Sequence, residues 1–338
     1  MTSLLADQRP KDDTARFNTY TAPVYPESLI YSFSRGFVSV SLTINQQGRV
    51  TGAQILRATH PDFVAPTFEA LKSWRFEPAL RNGLPITTIQ VENIWFDIRI
   101  MPAAGSVADY FFGLKPVPSK ESPEEFKYEK AADVLTVVNP VYPYNLAVAG
   151  TKGRAQIEFV VDENGTVTKT STLTATNPEL GEALEAMAQA CHINPARKNG
   201  KPQKSLMRRL QIFGPGENYL TYNDQTKKLI KEIAAKGPNI ALPGELDTPL
   251  NPLYQTAPVY PPDLQSQGRE GEATIEFFID HNGQAQLPRI LAASDRAFGW
   301  AAATAVQQWV FTKPTKRGKP VFVRVQIPME FKLAGQSK

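Results

Sequence analysis

The most constraining feature of this sequence is a five-residue stretch that occurs three times at a nearly constant interval. APVYP stands at residues 22–26 and again at 257–261, and NPVYP stands at 139–143. Tyr25 and Tyr142 are 117 residues apart, and Tyr142 and Tyr260 are 118 apart. A long, constant period of this kind is typical of one structural unit copied in tandem.

Two further landmarks keep their spacing in all three segments. A glycine follows the proline of each Tyr-Pro pair by 22 residues, and a Gly-X-Pro triplet begins 35 residues later. The first glycines are Gly48, Gly165 and Gly283, and the triplets begin at Gly83, Gly200 and Gly318. Three landmarks at matched separations indicate three copies of one domain.

Hydrophobic periodicity predicts the same order of elements in each copy. Apolar residues alternate along a first strand, as Ile275 and Phe277 do in copy 3, and Asn-Gly or Gln-Gly then predicts a tight turn. A second strand is expected at 49–57, 166–174 and 284–292. An apolar stripe with helical spacing follows, and an alternating last strand closes the copy.

These elements predict an α+β protein of three tandem domains, each a small antiparallel sheet with a long helix packed on one face. Copy 1 is placed at 15–100, copy 2 at 132–214 and copy 3 at 247–334. A connector at 101–131 contains helical segments, with a capped helix start at Ser122. A second connector at 215–246 contains an amphipathic helix at 224–236, closed by Gly237.

Composition limits the function classes. The chain has 338 residues, of which 42% are hydrophobic and 21% charged, as in globular proteins. No apolar run is long enough to cross a bilayer, so no integral membrane segment is expected in this chain. The net charge of +4 is too small to indicate a nucleic-acid partner, and the single cysteine excludes an internal disulfide.

The combined pattern of each copy resembles the TonB C-terminal domain. The motifs that carry the resemblance are PVYP, SWRFEPA at 73–79, QWVFTKP at 308–314 and RGKPVFVRVQIPMEF at 317–331. Copy 2 diverges most, because Cys191 and Ile193 stand where the other copies have Trp-X-Phe.

The resemblance implies a non-enzymatic, periplasmic binding module that needs no cofactor. Its partner would be a protein or peptide, such as the TonB box of an outer-membrane transporter, bound by strand addition beside the last strand. A full transducer also has a membrane helix and a proline-rich spacer. This sequence shows neither, so we do not expect a complete energy transducer.

Three alternatives stay open. The copies could form a structural scaffold in which they pack only on each other. The chain could also be a periplasmic fragment of a TonB-dependent transport system. A periplasmic location requires that a targeting segment has been removed, and the alternative location is the cytoplasm.

The last strand of copy 3 is the predicted peptide-binding site. Pro328 lies within its alternation, and proline is tolerated mainly in edge strands because it cannot donate to a ladder. The predicted site consists of Val321, Phe322, Val323, Arg324, Val325, Gln326 and Ile327. Val323 and Val325 are expected to face the core and Arg324 and Gln326 to be more accessible. The β-prone stretches 17–22, 134–139 and 253–257 could instead cover such edges.

Basic residues around two of the Gly-X-Pro turns form a weaker candidate site for an anionic surface. In copy 3 they are Lys313, Lys316, Arg317 and Lys319. In copy 2 they are Arg197, Lys198, Lys201, Lys204, Arg208 and Arg209. A solvated loop is the simpler interpretation of both groups.

No catalytic or metal site is expected. Cys191 and His192 are adjacent, and neighbouring residues on a helix do not face each other. Cys191 also continues an apolar stripe. His60, His192 and His281 have no partners at metal-ligand spacing.

Overall fold

The structure is a computed structural model that describes residues 12–26, 29, 36–96, 114–136, 138–215, 224–235 and 240–333. The described residues divide into two compact units, one formed by copy 1 and the other by copies 2 and 3 with the connector between them. Among the described residues, no helix has both the length and the apolar character needed to cross a membrane.

Every copy contains the same three-stranded antiparallel sheet, which confirms the predicted fold class. The central strands are Gly36–Ile44, Gly153–Val161 and Gly271–Ile279. The second strands are Val50–Ala58, Val167–Ala175 and Ala285–Ala293, within one residue of the predicted bounds. The last strands are Thr88–Phe96, Ser205–Phe213 and Phe322–Phe331. The central strand lies between the other two in each sheet.

A helix covers one face of each sheet, at the position where the sequence shows an apolar stripe. The core helices are Val64–Leu71, Pro178–Ala190 and Arg296–Val306. The helix of copy 1 is shorter than expected, because a 3-10 turn, Pro61–Phe63, replaces its beginning. Thr67 interrupts the apolar stripe there, but its hydroxyl donates to the Phe63 carbonyl at 2.8 Å, so burial leaves no polar atom unpaired.

The glycine after each central strand is required by a close approach between backbones. A Cβ built on Gly48 would lie 1.7 Å from the carbonyl oxygen of Phe76. A Cβ on Gly165 would lie 2.0 Å from the carbonyl oxygen of Ile193, and a Cβ on Gly283 would lie 2.1 Å from that of Phe311. Each glycine also has a positive φ, which side chains rarely adopt. Because no side chain fits, the spacing of this glycine is constant.

The predicted tight turn follows each central strand, but the backbone that Asn-Gly favours, with two successive positive φ angles, occurs at another hairpin. Paired positive φ angles, the signature of a two-residue I′ turn, occur at Asn82-Gly83, Asn199-Gly200 and Arg317-Gly318. They do not occur at Asn164-Gly165 or Asn282-Gly283, where only the glycine has a positive φ. The I′ turns join small hairpins, whose strands are Ala79–Arg81 with Leu84–Ile86, Ala196–Lys198 with Lys201–Gln203, and Thr315–Lys316 with Lys319–Pro320.

The β-prone stretches before each Tyr-Pro pair form strands, and they pair within their own copy. Their partners are the short strands that follow the core helices, and none of them lies beside a last strand. The pairs are Arg16–Thr19 with Arg75–Glu77, Asp133–Thr136 with His192–Asn194, and Pro252–Tyr254 with Val310–Phe311. In copies 1 and 3 the indole nitrogens of Trp74 and Trp309 bond to the carbonyls of Thr21 and Thr256 in the same region, at 2.8 and 2.9 Å.

The Tyr-Pro pairs have structural surroundings. Tyr142 is buried, and its hydroxyl donates to the carbonyl of Thr151. The hydroxyl of Tyr260 donates to the carbonyl of Arg269, and its ring packs edge-on against Phe298 with 5.5 Å between ring centroids. Short helices begin just after two of these tyrosines, at Tyr144–Val148 and Pro262–Ser266.

The connectors differ from the prediction in one respect. Ser122 does not cap an α-helix, because its hydroxyl donates to Pro118 and only the 3-10 turns Ser119–Glu121 and Glu124–Phe126 form around it. The amphipathic helix of the second connector is confirmed at Asp224–Ala234, while its expected end at Gly237 lies outside the described residues. A further 3-10 turn is Pro243–Glu245.

Copies 2 and 3 pack against each other through equivalent elements. Their core helices lie side by side. The short helix Tyr144–Val148 of copy 2 contacts the second strand of copy 3, and Pro262–Ser266 of copy 3 contacts the second strand of copy 2. This reciprocal arrangement is that of an isologous dimer built within one chain.

The connector helix completes the core between these two copies. Leu229 on Asp224–Ala234 is fully buried in the same cluster as Phe278, Leu287 and Phe322 of copy 3. The hydroxyl of Thr226 adds a hydrogen bond to the side chain of Gln286 at 3.0 Å. The outer face of the copy 3 sheet is therefore partly covered by the chain itself.

Candidate strand-binding edges

The predicted peptide-binding residues of copy 3 divide into a buried and an accessible part. Val321, Phe322 and Val323 are buried. Beyond them Arg324 and Gln326 are exposed, and Val325 and Ile327 are half-buried. The side chains alternate as expected, with Val323 in the core cluster and Val325 packed against it.

The expectation that this edge is open is wrong at its beginning. The short strand Ile240–Ala241, from the preceding connector, pairs in parallel with Phe322 and Val323. From Arg324 onward, the last strand has no strand partner on this side among the described residues. Only the second half of the predicted site is therefore at a free edge in the described part of the chain.

Pro328 explains which backbone groups point outward. It lies opposite Thr274 of the central strand, and since it has no N–H, this pair cannot be a hydrogen-bonded one. Residues at such positions direct both backbone groups away from the central strand. Pro328 is thus accommodated at the edge, and it also removes one donor that an added strand would use.

The equivalent edge of copy 2 is covered in the same manner, but by an antiparallel strand. Leu114–Pro116, from the first connector, pairs with the last strand at Met207, Arg208 and Arg209. The N–H of Val117 continues the ladder by donating to the carbonyl of Leu206 at 2.9 Å. In both copies the covering strand comes from the connector that precedes the copy.

Copy 1 presents this edge without a covering strand among the described residues. Its last strand, Thr88–Phe96, pairs with the central strand over its full length on one side only. Asn93 occupies the position of Pro328 and lies opposite Ser39. By the same geometry, Ile89, Val91, Asn93 and Trp95 direct their backbone N–H and C=O groups to the open side.

On the face of the sheet away from the core helix, three of the four side chains of this strand are large and apolar, and Asn93 is the polar one. The exposed fractions are 73% for Ile89, 52% for Val91 and 61% for Trp95. Trp95 lies beside Phe37 of the central strand, with 5.1 Å between ring centroids. The guanidinium carbon of Arg57 lies 5.3 Å from the centroid of the Phe37 ring. Contiguous apolar side chains beside an open backbone edge are typical of an interaction surface.

The basic residues of copy 3 surround a turn whose backbone N–H groups bond to an acidic residue. The carboxylate of Asp247 accepts from the N–H groups of Arg317 and Gly318 at 2.7 and 2.8 Å. Those two bonds lower the pKa of Asp247. Lys316 pairs with Glu245 at 3.0 Å, and Lys313 and Lys319 are exposed. An anionic surface at these residues stays a prediction.

The same turn is held in every copy by an acidic residue that sequence reasoning missed. Asp12 accepts from the N–H of Asn82, and Glu129 accepts from that of Asn199, at 2.8 and 2.9 Å. In each copy, including Asp247 with Arg317, the carboxylate precedes the turn by 70 residues. A fourth repeat landmark was therefore available in the sequence, as a conserved spacing between an acidic residue and the turn.

One member of the copy 2 basic group was placed wrongly. Arg209 is buried, whereas a solvated loop was expected. Its Nη2 donates to the side chain of Gln211 at 2.6 Å, and burial lowers the pKa of its guanidinium to about 10. It lies in a last strand, where alternation directs every second residue to the core. Arg208, its neighbour, points outward and pairs with Glu158 at 2.8 Å.

Cys191 and His60 have structural surroundings. Burial raises the pKa of the Cys191 thiol to about 11, and the sulfur lies 3.3 Å from the carbonyl of Met187. His60 caps the 3-10 turn, since its Nδ1 accepts from the N–H of Asp62. Asn177 and Asp295 cap the core helices from the equivalent positions.

The side chain of His192 lies outside the described residues. Within the described ranges, no cluster of His, Cys, Asp and Glu is grouped to hold a metal ion.

Comparison with known proteins agrees with the three-copy arrangement. A family profile described as "Gram-negative bacterial TonB protein C-terminal" matches the chain at residues 21–98, 138–212 and 256–333. Each match includes one Tyr-Pro pair, one core helix and one last strand.

Two individual proteins are similar over a length close to that of one copy. Protein TonB of Vibrio cholerae serotype O1 (strain ATCC 39315 / El Tor Inaba N16961) is 33% identical over 91 residues, which are 27% of this chain and 37% of that protein. The chain thus spans little more than a third of that relative's length. The solution NMR structure of the Pseudomonas aeruginosa TonB C-terminal domain is 27% identical and covers 27% of this chain and 92% of the solved chain, with a TM-score of 0.24.

Proposed function

We propose that this protein binds extended segments of envelope proteins by strand addition. The premise is its family: the three profile matches together cover most of the chain, so the protein belongs to the family of TonB C-terminal domains. The proposed location is the periplasm, and the proposed partners are proteins or peptides, outer-membrane transporters among them. We propose no enzymatic activity.

We propose copy 1 as the copy that receives the partner. The observation that carries this proposal is that copies 2 and 3 each accept a strand beside the last strand of their sheet, at positions equivalent to 90–92 of copy 1 in copy 2 and to 87–88 in copy 3. The covering strands run in opposite directions, so this edge is compatible with either orientation. An exposed row of backbone groups is a template for such pairing.

The edge of copy 3 from Arg324 to Ile327 is a second candidate, as the sequence suggested. Two observations make it the weaker one. Ile240–Ala241 already pairs with Phe322 and Val323, and Pro328 removes an outward donor. A peptide there would find a shorter ladder than on copy 1.

A titration with a synthetic TonB-box peptide tests the proposal. Backbone amide shifts should concentrate in 88–96 if copy 1 is the receptor, and in 324–331 if copy 3 is. Shifts in neither edge, with no detectable binding, would overturn the strand-addition function.

Asn93→Pro supplies a variant that weakens binding without unfolding the domain. Copy 3 carries Pro328 at the equivalent position of an intact strand, so the fold tolerates proline there. The variant loses one outward N–H, and we expect the affinity for the peptide to fall about tenfold. Asn93→Ala keeps the N–H and should retain wild-type affinity. Equal affinities for the two variants would contradict strand addition on this edge.

A scaffold role is a second candidate for copies 2 and 3 only. The reciprocal packing of their core helices and the self-covered edges favour it. In that arrangement copies 2 and 3 form a structural base, and copy 1 carries the recognition.

A further inference from the structure

On the outer face of its sheet, copy 1 lacks the polar contact that joins the central strand to the last strand in the sister copies. In copy 2, Glu158 on the central strand pairs with Arg208 on the last strand. In copy 3, Glu276 and Gln326 stand at the same positions and are bonded at 2.8 Å. Copy 1 has Ser41 and Val91 there.

Relative to copy 3, the same substitution of apolar for polar residues extends along the last strand. Ile89 and Trp95 of copy 1 correspond to Arg324 and Glu330 of copy 3. Phe37 on the central strand corresponds to Glu272. These residues of copy 1 face the side away from the core helix, where copy 3 exposes charged side chains. Copy 2 is intermediate, with Leu206 and Ile212 at the positions of Ile89 and Trp95.

The inner side of the same strand carries one unpaired acidic group. Glu92 is half-buried and lies opposite Val40, on the side that faces the core helix. Its carboxylate accepts from the side chain of Gln90 at 2.5 Å, and no cationic side chain pairs with it among the described residues. Copy 2 has Arg209 and copy 3 has Ile327 at this position, so the acidic group is particular to copy 1.

From the chemistry of these two faces we infer the pattern of the segment that copy 1 binds. The inference rests on the proposed strand addition. It is an extended segment with uncharged β-branched or aromatic residues at every second position and a lysine or arginine among the residues between them. The apolar residues pack beside Ile89, Val91 and Trp95. The cation lies near Glu92.

The physical basis is the geometry of neighbouring strands. Side chains directly opposite each other in a sheet are about 5 Å apart and face the same side. An added strand therefore places one set of alternate side chains against the exposed apolar row and the other set against Gln90 and Glu92. Apolar area is removed from water on the first face. A charge-assisted hydrogen bond forms on the second.

Three capped nonapeptides separate the elements of this pattern. The first alternates valine, isoleucine and tyrosine with threonine and contains one central lysine. The second has glutamate in place of that lysine. The third has the composition of the first with its apolar residues grouped in one half, so that alternation is lost. Affinities are measured with the full chain by fluorescence anisotropy.

We expect the first peptide to bind at least about tenfold more tightly than either of the others. Glu92→Lys should reverse the preference between the lysine and glutamate peptides, and Glu92→Gln should abolish it. Trp95→Ser should weaken binding of the first peptide without lowering the thermal midpoint, because Trp95 is largely exposed. Amide chemical shifts outside 88–96 confirm that each variant is folded.

The outcomes distinguish this inference from the proposed function. Equal binding of the lysine and glutamate peptides, unchanged in Glu92→Lys, would overturn the charge preference while strand addition stands. Equal binding of the alternating and grouped peptides would overturn the apolar preference. Absence of binding by all three, and by the TonB-box peptide, would overturn strand addition itself.

Discussion

Glu182 and Trp300 occupy the same position in the repeat, 118 residues apart, and they are bonded to each other. The indole Nε1 of Trp300 donates to Oε2 of Glu182 at 2.7 Å. Arg296 adds two donors to the same carboxylate. Equivalent positions contact each other where they lie close to a twofold axis, so this bond places Glu182 and Trp300 near the axis that relates copies 2 and 3.

The energetic weight of this contact lies in Trp300 and not in the ion pair. Trp300 is buried between the two core helices, and we expect Trp300→Ala to lower the free energy of unfolding of this unit by about 3–5 kcal/mol. The side chain of Arg296 is 65% exposed, so a double-mutant cycle of Glu182→Ala and Arg296→Ala should give a coupling of only about 0.2–1 kcal/mol. Urea denaturation measures both. A coupling above about 2 kcal/mol would show that the ion pair is a main determinant of the packing.

Gly283 and Gly318 allow steric overlap to be separated from backbone strain. Both have a positive φ, but a Cβ on Gly283 would lie 2.1 Å from a carbonyl oxygen, whereas a Cβ on Gly318 meets no atom within 4 Å. Gly318→Ala should cost about 1–2 kcal/mol through φ alone. Gly283→Ala should cost about 1–3 kcal/mol more, because the two backbones must separate. Similar midpoints in urea for the two variants would contradict this account.

Asp247 makes stability depend on pH in the acid range. Its folded-state pKa is lowered by the N–H groups of Gly318 and Arg317, so its contribution is fully present above the ordinary pKa of 3.8 and is lost as the pH falls through the folded-state value. Asp247→Asn should therefore lower the thermal midpoint at pH 7, and the difference from wild type should shrink toward pH 2. Glu163, an exposed turn residue, is the control, and Glu163→Gln should show no such dependence. A constant difference between pH 7 and pH 2 would show that the charge of Asp247 is not responsible.

Cys191 should be unreactive in the folded protein. Burial raises the pKa of its thiol to about 11, so the thiolate is scarce at pH 8, and the sulfur is inaccessible. Labelling with a thiol reagent at pH 8 should be slow in buffer and complete within minutes in 6 M guanidinium chloride. Rapid labelling of the folded protein would place the sulfur at the surface and reopen a reactive role.

The sequence by itself determined the repeat and the elements within it. Period-two alternation sets which side chains of a strand face the core, so the burial of Val323 and the exposure of Arg324 could be predicted from local order. The spacing of Gly48, Gly165 and Gly283 was visible in the same way. Its physical reason, the contact with the carbonyl of a later strand, was not.

The tertiary structure alone decided which sheet edges are free. Alternation reports the two faces of a strand but says nothing of its two edges, whose pairing depends on segments far away in the chain. Ile240–Ala241 lies about 80 residues before the strand that it covers, and two residues carry no recognisable strand pattern. Sequence reasoning therefore placed the open edge on copy 3, whereas within the described residues non-local pairing leaves this edge uncovered over the full length of Thr88–Phe96 in copy 1 and only from Arg324 onward in copy 3.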